Sequence, residues 1–271
     1  MISWQCYEDL KTEFGYNSSW AIWAVPKSGN WKSKDSVADM TPFQDEKELI
    51  QSLNGNYIFV GLNPAVHNHV PHSLMVWENF HSSDAKRSQD YKLRYALQGT
   101  QYWGSFITDI YTGIADTDSA SAMKKVTGKA TADSIGNLLR IREILGGKAV
   151  IVAMGTKAHA ILKKNLPTGI ELKVITHYSA YVNIDDYRKN VLQQLGTQVD
   201  AKTIIPSEKE DLKKLYNAFI DLCDFIETDE NIGCGNCPLY ETMCGNKTSN
   251  AAKEFSEALA RIRKKAGIPD P

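Results

Sequence analysis

Three polar side chains follow or close short apolar runs that are typical of buried strands: Asn63, Asp109 and His177. In open parallel α/β sheets, ligands bind at the carboxyl ends of the strands. If the runs are parallel strands, these side chains and Gly155 should therefore lie along one edge of the sheet. An amide, a carboxylate and an imidazole gathered there could bind a polar ligand and assist its chemistry. The plainer interpretation of Asn63-Pro64 is a common turn signal.

The elements that would position these side chains follow an alternating pattern. Strands are predicted at 57–61, 103–110, 149–154 and 172–176, separated by helices at 91–97, 131–145, 157–164 and 185–195. The alternation predicts an α/β domain over 1–200, with three α/β/α layers and a central four-stranded parallel sheet. A helical appendage is expected at 207–271. A further strand could lie within 19–25, and Asp45 could cap a short helix that follows it.

Composition narrows the class of protein. The chain has 271 residues, 42% of them hydrophobic and 23% charged, as in soluble globular proteins. Neither a membrane-spanning apolar run nor a signal peptide is evident, so a cytoplasmic monomer without membrane contact is expected. The net charge of −1 excludes a general basic field for nucleic acid, so any DNA contact would be local.

Three short motifs occur in order: Gly61-Leu62-Asn63-Pro64, Ile107-Thr108-Asp109 and His177-Tyr178-Ser179. In this α/β layout they resemble motifs of the uracil-DNA glycosylase superfamily, especially its mismatch-specific and thymine-DNA glycosylase branch. The resemblance covers about 57–195, and Tyr178 stands where that motif usually has Pro. It implies hydrolysis of the N-glycosidic bond of a flipped-out base, which leaves an abasic site and needs no cofactor for catalysis.

The resemblance also implies roles for single residues. Asn63 would position the attacking water, and His177 would donate a hydrogen bond to the base O2 as negative charge develops there. Ser179 would bind a DNA phosphate, and Tyr181 would wedge into the base stack. Phe80 would stack on the flipped base. Trp77 competes for that role, with core packing as its alternative.

The target base is predicted from Asp109 and its neighbours. Several uracil-removing branches have Asn at this position, whereas an ionised Asp109 only accepts hydrogen bonds and suits the N4 amino group of cytosine. Gly61 lets a ligand approach the backbone, and Ala65 stands where strict uracil enzymes have a bulky Tyr. Together they predict a 5-modified cytosine, with modified phage DNA as a natural source. A uracil or mismatch repair glycosylase is the alternative.

Four of the five cysteines form a cluster near the end of the chain: Cys223, Cys234, Cys237 and Cys244. In a reducing compartment this clustering favours a metal over disulfides, either zinc or a 4Fe–4S cluster with a structural role. The Cys-x2-Cys-Pro-Leu step resembles the iron–sulfur loop of helix-hairpin-helix glycosylases, although the gap before it is wider.

Two other classes of function remain open. A metallohydrolase could use His67, His69 and His72 with Glu78 or Asp84, but the irregular segment that holds them would orient ligands poorly. A non-catalytic reader of modified DNA could flip a base without cutting it. If the protein binds DNA, as a glycosylase or as a reader, basic side chains on 86–94 could contact phosphates, although a solvated charged face explains them equally well. These are Lys86, Arg87, Lys92 and Arg94.

Overall fold

The computed structural model describes residues 2–64, 75–81, 89–113, 123–124 and 126–197. The predicted appendage at 207–271 lies outside the described residues. Within them the chain forms five strands, named β1 (Ser18–Trp20), β2 (Asn54–Gly61), β3 (Ser105–Asp109), β4 (Val150–Met154) and β5 (Leu172–Ile175). The helices are α1 (Trp4–Phe14), a 3-10 turn (Thr41–Phe43), α2 (Glu46–Ser52), α3 (Asp90–Leu97), α4 (Gly128–Ile144), α5 (Thr156–Asn165) and α6 (Ile184–Gln194). None of these described helices combines the length and the apolar character needed to cross a membrane.

The strands form one sheet in the order β1-β3-β2-β4-β5. The four predicted strands are present and parallel, which confirms the α/β class. The predicted count of four is wrong, because β1 adds a fifth strand antiparallel to β3. This strand is shorter than the predicted 19–25 and covers an otherwise open edge. It is fixed partly through the Ser18 hydroxyl, which donates to the Thr108 hydroxyl at 2.8 Å.

Alternate side chains of the sheet enter two separate cores. Ile58 and Val60 point to one face and pack with α1, α4 and α5, whereas Phe59 points to the other face and packs with α3 and α6. Strands that are covered on both faces need apolar side chains in both directions. Their sequences are therefore continuous apolar runs and do not alternate between apolar and polar residues. The sheet therefore lies between two layers of helices, as predicted.

Helix boundaries follow their capping residues. Asp45 caps α2, where its carboxylate accepts from the backbone N–H groups of Lys47 and Glu48, which confirms the predicted cap. Helix α4 begins earlier than the predicted 131, because Thr127 acts as its cap. Asn183 caps α6 through the N–H of Asp186. Helices α4 and α6 each follow a strand of the sheet, so their caps lie in the connections that leave β3 and β5.

The order of the strands reverses direction at β2. The chain passes from β2 to β3 on one side and then returns to β4 on the other side. The carboxyl end of β2 is therefore the switch point where α/β sheets bind ligands. Since β2 to β5 are parallel, Asn63, Asp109, Gly155 and His177 follow or close strands at the same edge of the sheet. The expected convergence on one edge is confirmed at the level of the backbone.

Candidate functional site

The last residues of β2 and β3 form the floor of the candidate site. Gly61 is paired in register with Asp109, and the Asp109 carboxyl lies over the Gly61 backbone. A methyl group on Gly61 would lie 2.2 Å from Oδ1 of Asp109 and 3.6 Å from Cε of Met154. A side chain at position 61 would therefore displace the carboxyl, so glycine is required for the close contact.

The Asp109 carboxyl is buried, with 7% exposure. Burial raises the pKa of Asp109 to about 7, the hydrogen bond from Asn79 opposes this, and the charge of Asp90 adds to it. The Asn79 amide nitrogen lies 3.4 Å from Oδ2 of Asp109 and 2.9 Å from the carbonyl oxygen of Asn17, to which it also donates. Both the ionised and the protonated form of Asp109 are therefore populated near neutral pH.

Asn79 is a residue of the site that the sequence interpretation missed. It stands between Trp77 and Phe80, whose φ angles are +66° and +67°. Bulky side chains rarely adopt this left-handed conformation, which costs on the order of 1–3 kcal/mol for each residue. The Trp77 backbone N–H donates to the Gly15 carbonyl, and the Trp23 indole donates to the Phe80 carbonyl. Of this stretch, only Phe80, the neighbour of Asn79, was identified from the sequence as a site residue.

The two aromatic candidates for base stacking are both buried. Trp77 is 2% exposed, and its indole N–H donates to the Tyr7 hydroxyl at 3.0 Å. It packs among aromatic rings of the first core, so core packing accounts for it. Phe80 is 7% exposed and belongs to the second core, which also contains Met154 at the end of β4. Its stacking on a base stays a prediction.

His177 follows β5 and lies against Gly155, which has a φ of +93°. A methyl group on Gly155 would come within 3.2 Å of Cβ of His177. The backbone N–H of Ser179 donates to Nδ1 of His177 at 3.1 Å, and the Ser179 hydroxyl lies 2.8 Å from the same nitrogen. Burial lowers the pKa of His177 to about 4. The ring is therefore neutral at pH 7, and Nε2 carries the proton because Nδ1 accepts.

Tyr178, the next residue along the chain, contacts His177 directly. Its ring stacks on the His177 ring, with centroids 4.2 Å apart and planes inclined by 27°. The pKa of Tyr178 is raised well above 10, first by burial and then by the charges of Asp90 and Asp109. The residue that replaces the motif's Pro thus contacts the imidazole and lies near the carboxyl that faces Gly61.

Asn63 lies two residues beyond the end of β2 and is partly buried. Its amide nitrogen donates to the carbonyl oxygen of Pro64 at 3.1 Å, which orients the side-chain amide. Its role in positioning water is not tested by this geometry and stays a prediction. Ala65 lies outside the described residues.

Ser179 and Tyr181 lie in the turn that follows His177. Both side chains are exposed, and Tyr181 is exposed completely. A single exposed aromatic side chain is also ordinary on a protein surface, so exposure alone does not distinguish a wedge from a surface residue. The predicted wedge is accessible, whereas its insertion into DNA stays a prediction.

The predicted phosphate contacts on α3 need correction. Arg94 is fully buried, and its guanidinium donates to the carbonyl oxygens of Ser33 and Asp35, so its predicted DNA contact is wrong. Lys92 is 8% exposed and also donates to backbone carbonyls. Lys86 and Arg87 lie outside the described residues.

The predicted metal ligands fall almost entirely outside the described residues. These are Cys223, Cys234, Cys237 and Cys244, together with His67, His69, His72 and Asp84 of the alternative. Glu78 is described, and its carboxylate accepts from the backbone N–H of Met75 at 2.8 Å. The part of the chain that the structure describes contains no group of three or more potential metal ligands.

The structure thus places Asp109 against Gly61 and Asn79, and His177 against Gly155 at the same edge of the sheet. The edge carries a buried carboxyl whose pKa is raised to about 7 and an imidazole whose pKa is lowered to about 4. Neither a comparison with protein-family models nor one with curated proteins gives a match to this chain.

Proposed function

We propose that this protein is a DNA glycosylase that hydrolyses the N-glycosidic bond of a flipped-out, 5-modified cytosine and leaves an abasic site. The supporting observation is the shared carboxyl edge of the parallel strands, where Asp109 covers Gly61 and His177 lies against Gly155. A base extruded from the duplex needs polar partners for its edge and a donor for its departing charge, and this edge offers both.

The reaction builds positive charge on the sugar and negative charge on the base. His177 would donate from Nε2 to the base O2 and stabilise the negative charge as it forms. The Ser179 N–H on Nδ1 holds the ring in the tautomer that this role needs. Asn63 cannot act as a base, so it would orient the attacking water through its carbonyl oxygen.

The base preference depends on the ionised form of Asp109. A carboxylate accepts from the N4 amino group of cytosine, whereas the O4 of uracil would leave two acceptors in contact. Ala65 would leave room for a substituent on C5, and Phe80 would stack on the ring. The protonated form of Asp109 can donate to O4, and this specific feature favours the uracil or mismatch glycosylase as the second candidate.

DNA contact would be local, in keeping with the net charge of −1. Ser179 would bind a phosphate next to the flipped nucleotide, and Tyr181 would fill the gap in the stack. The thiolates at 223–244 would hold zinc or a 4Fe–4S cluster in a structural appendage, with no part in the hydrolysis. An enzyme of this kind could act against modified phage DNA.

The test is release of free base from matched duplexes that contain uracil, cytosine or 5-substituted cytosines. His177→Ala should reduce the rate on the order of 100-fold, since it removes a donor that is used as charge develops. Asn63→Ala should reduce it similarly, whereas Asn165→Ala, at the far end of α5, should not. A preference for uracil over every cytosine form would reject the role of Asp109. Tight binding without abasic sites would indicate a non-catalytic reader instead.

A further inference from the structure

Lys92 on α3 has an environment that a lysine rarely occupies. It is 8% exposed, and its ammonium nitrogen lies 3.0 Å from the carbonyl oxygen of Ala180 and 3.0 Å from that of Val182. Burial lowers the pKa of Lys92, and the charge of Lys34 lowers it further. A buried charge is unfavourable unless hydrogen bonds compensate it, and these two carbonyls provide that compensation.

The two carbonyls belong to the residues on either side of Tyr181. The turn is closed by the Ala180 N–H, which donates to the His177 carbonyl at 2.9 Å, and by the Val182 N–H, which donates to the Ala180 carbonyl at 2.8 Å. The Tyr181 side chain projects from this turn and is completely exposed. One ammonium group therefore binds the peptide unit that precedes Tyr181 and the peptide unit that follows Val182, so it holds the turn on both sides of the exposed ring.

We propose that Lys92 is the positioning residue of Tyr181, and that it holds the turn at 177–182 so that the ring is a preformed wedge for duplex DNA. This inference rests on the proposed glycosylase function. A preformed wedge loses little conformational freedom on binding, so more of the contact energy is available to open the stack. Lys92 acts through Tyr181 and touches neither the base nor the phosphates.

The first experiment measures the turn itself and needs no activity. Chymotrypsin cuts after exposed aromatic residues, so Tyr181 reports opening of the turn, and Tyr16 on another surface is the internal reference. Lys92→Met removes the charge and the donors but keeps the length of the chain. We expect the cut after Tyr181 to become about tenfold faster, which corresponds to one charge-assisted hydrogen bond. Lys189→Met on α6 should leave both cuts unchanged, and an unchanged cut in Lys92→Met overturns the proposal.

The second experiment separates a wedge from a general loss of stability. Lys92→Met should slow base release from duplex DNA about tenfold and leave release from single strands within about twofold, because single strands have no stack to open. Tyr181→Ala should show the same pattern. The double variant Lys92→Met/Tyr181→Ala should be no slower than Tyr181→Ala alone, because both changes act through the same Tyr181 wedge. Additive losses, or equal losses on both substrates, overturn the proposal.

The proposal for Lys92 can also be tested if the protein is not a glycosylase. If the wild-type protein releases no base, the same variants are compared by affinity for a duplex with one mismatched pair, where the double variant should again resemble Tyr181→Ala. Absence of both release and binding overturns both proposals. Thermal unfolding checks that Lys92→Met is folded. Lys92→Leu, which also removes the charge and the donors, replaces it in every arm if Lys92→Met does not fold.

Discussion

Asp109 should make the choice of base depend on pH. Burial raises the pKa of its carboxyl to about 7, despite the hydrogen bond from Asn79. Between pH 6 and pH 8 the ionised fraction of such a group rises from about 10% to about 90%. The ionised form accepts from cytosine N4, and the protonated form donates to uracil O4. The two bases are therefore expected to respond to pH in opposite directions.

The size of the effect follows from these fractions. If each base is cut only by its matching form, the cytosine rate rises about tenfold over this range and the uracil rate falls about tenfold. The selectivity of each form of Asp109 for its base is limited by the free-energy cost of the wrong pairing, which is about 1–3 kcal/mol for a buried polar group without a partner. The ratio of the two rates should therefore change by roughly 10-fold to 100-fold.

The other groups with shifted pKa values at this edge of the sheet help to assign the effect. The pKa of His177 is lowered to about 4 and that of Tyr178 is raised well above 10, so neither changes charge between pH 6 and pH 8. Among the described residues, Asp90 is the carboxyl whose charge adds to the raised pKa of Asp109. Asp90→Asn should therefore move the midpoint of the pH profile downward, whereas Asp109→Asn should abolish the change in base preference.

The assay is single-turnover base release from duplexes that differ in one base, at pH 6, pH 7 and pH 8 and at constant ionic strength. Asp109→Asn should also favour uracil at every pH, because its amide can donate to O4. A rate ratio that stays constant in the wild-type protein would refute the reasoning. The same pH dependence in Asp109→Asn would assign the titration to another group.

Three further predictions concern the floor of the site, the core and the cysteines. Gly61→Ala should abolish base release and destabilise the fold by about 1–3 kcal/mol, because its methyl group meets the Asp109 carboxyl. Gly136→Ala, where α4 has open space, should instead stabilise it by about 0.5–1 kcal/mol in the same denaturant titration. Burial lowers the pKa of His81 to about 4, so the unfolded chain binds its proton first as pH falls. The contribution of His81 to stability should fall by about 1.5 kcal/mol from pH 6.5 to pH 5, measured as the difference in the free energy of unfolding between the wild-type protein and His81→Gln. An absorption band near 400 nm that disappears in Cys237→Ser would identify an iron–sulfur cluster, and bound zinc without colour would identify the other metal.

The backbone of the site could be predicted from the sequence because it follows from short-range patterns. Apolar runs that end at Gly61 and Asp109 indicate strands covered on both faces, and parallel strands must place those ends at one edge. Strand β1 was harder to define, since it has three residues and two of them are serines. Its place in the sheet depends on pairing with β3, about 90 residues further along the chain.

The wrong predictions concern charged residues whose partners are distant in sequence. Arg94 and Lys92 look like surface residues in a charged stretch, and phosphate binding was a reasonable interpretation. Their actual partners are carbonyl oxygens about 60 and 90 residues away. Sequence periodicity carries no information about such contacts. The contact between Asn79 and Asp109 was missed for the same reason.

Several features that cost the fold free energy lie at the ends of the strands or on the helix and turn beside them. They include the buried carboxyl of Asp109, whose pKa the charge of Asp90 raises further, and the buried ammonium of Lys92. They also include the imidazole of His177, which burial keeps neutral. Two aromatic residues in the left-handed conformation flank the amide that binds the carboxyl. Such features persist only where the surrounding structure stabilises them, and they concentrate at functional sites.

This clustering separates two claims that could fail independently. The position of the site rests on contacts within the described residues and does not require a particular substrate. The reaction rests on motifs at Asn63, Asp109 and His177 and on the tautomer set by Ser179. If base release is absent but Gly61→Ala and Lys92→Met still weaken binding of a duplex, the site is correct and its chemistry is recognition. If those variants change stability alone, the edge is structural and the function lies elsewhere in the chain.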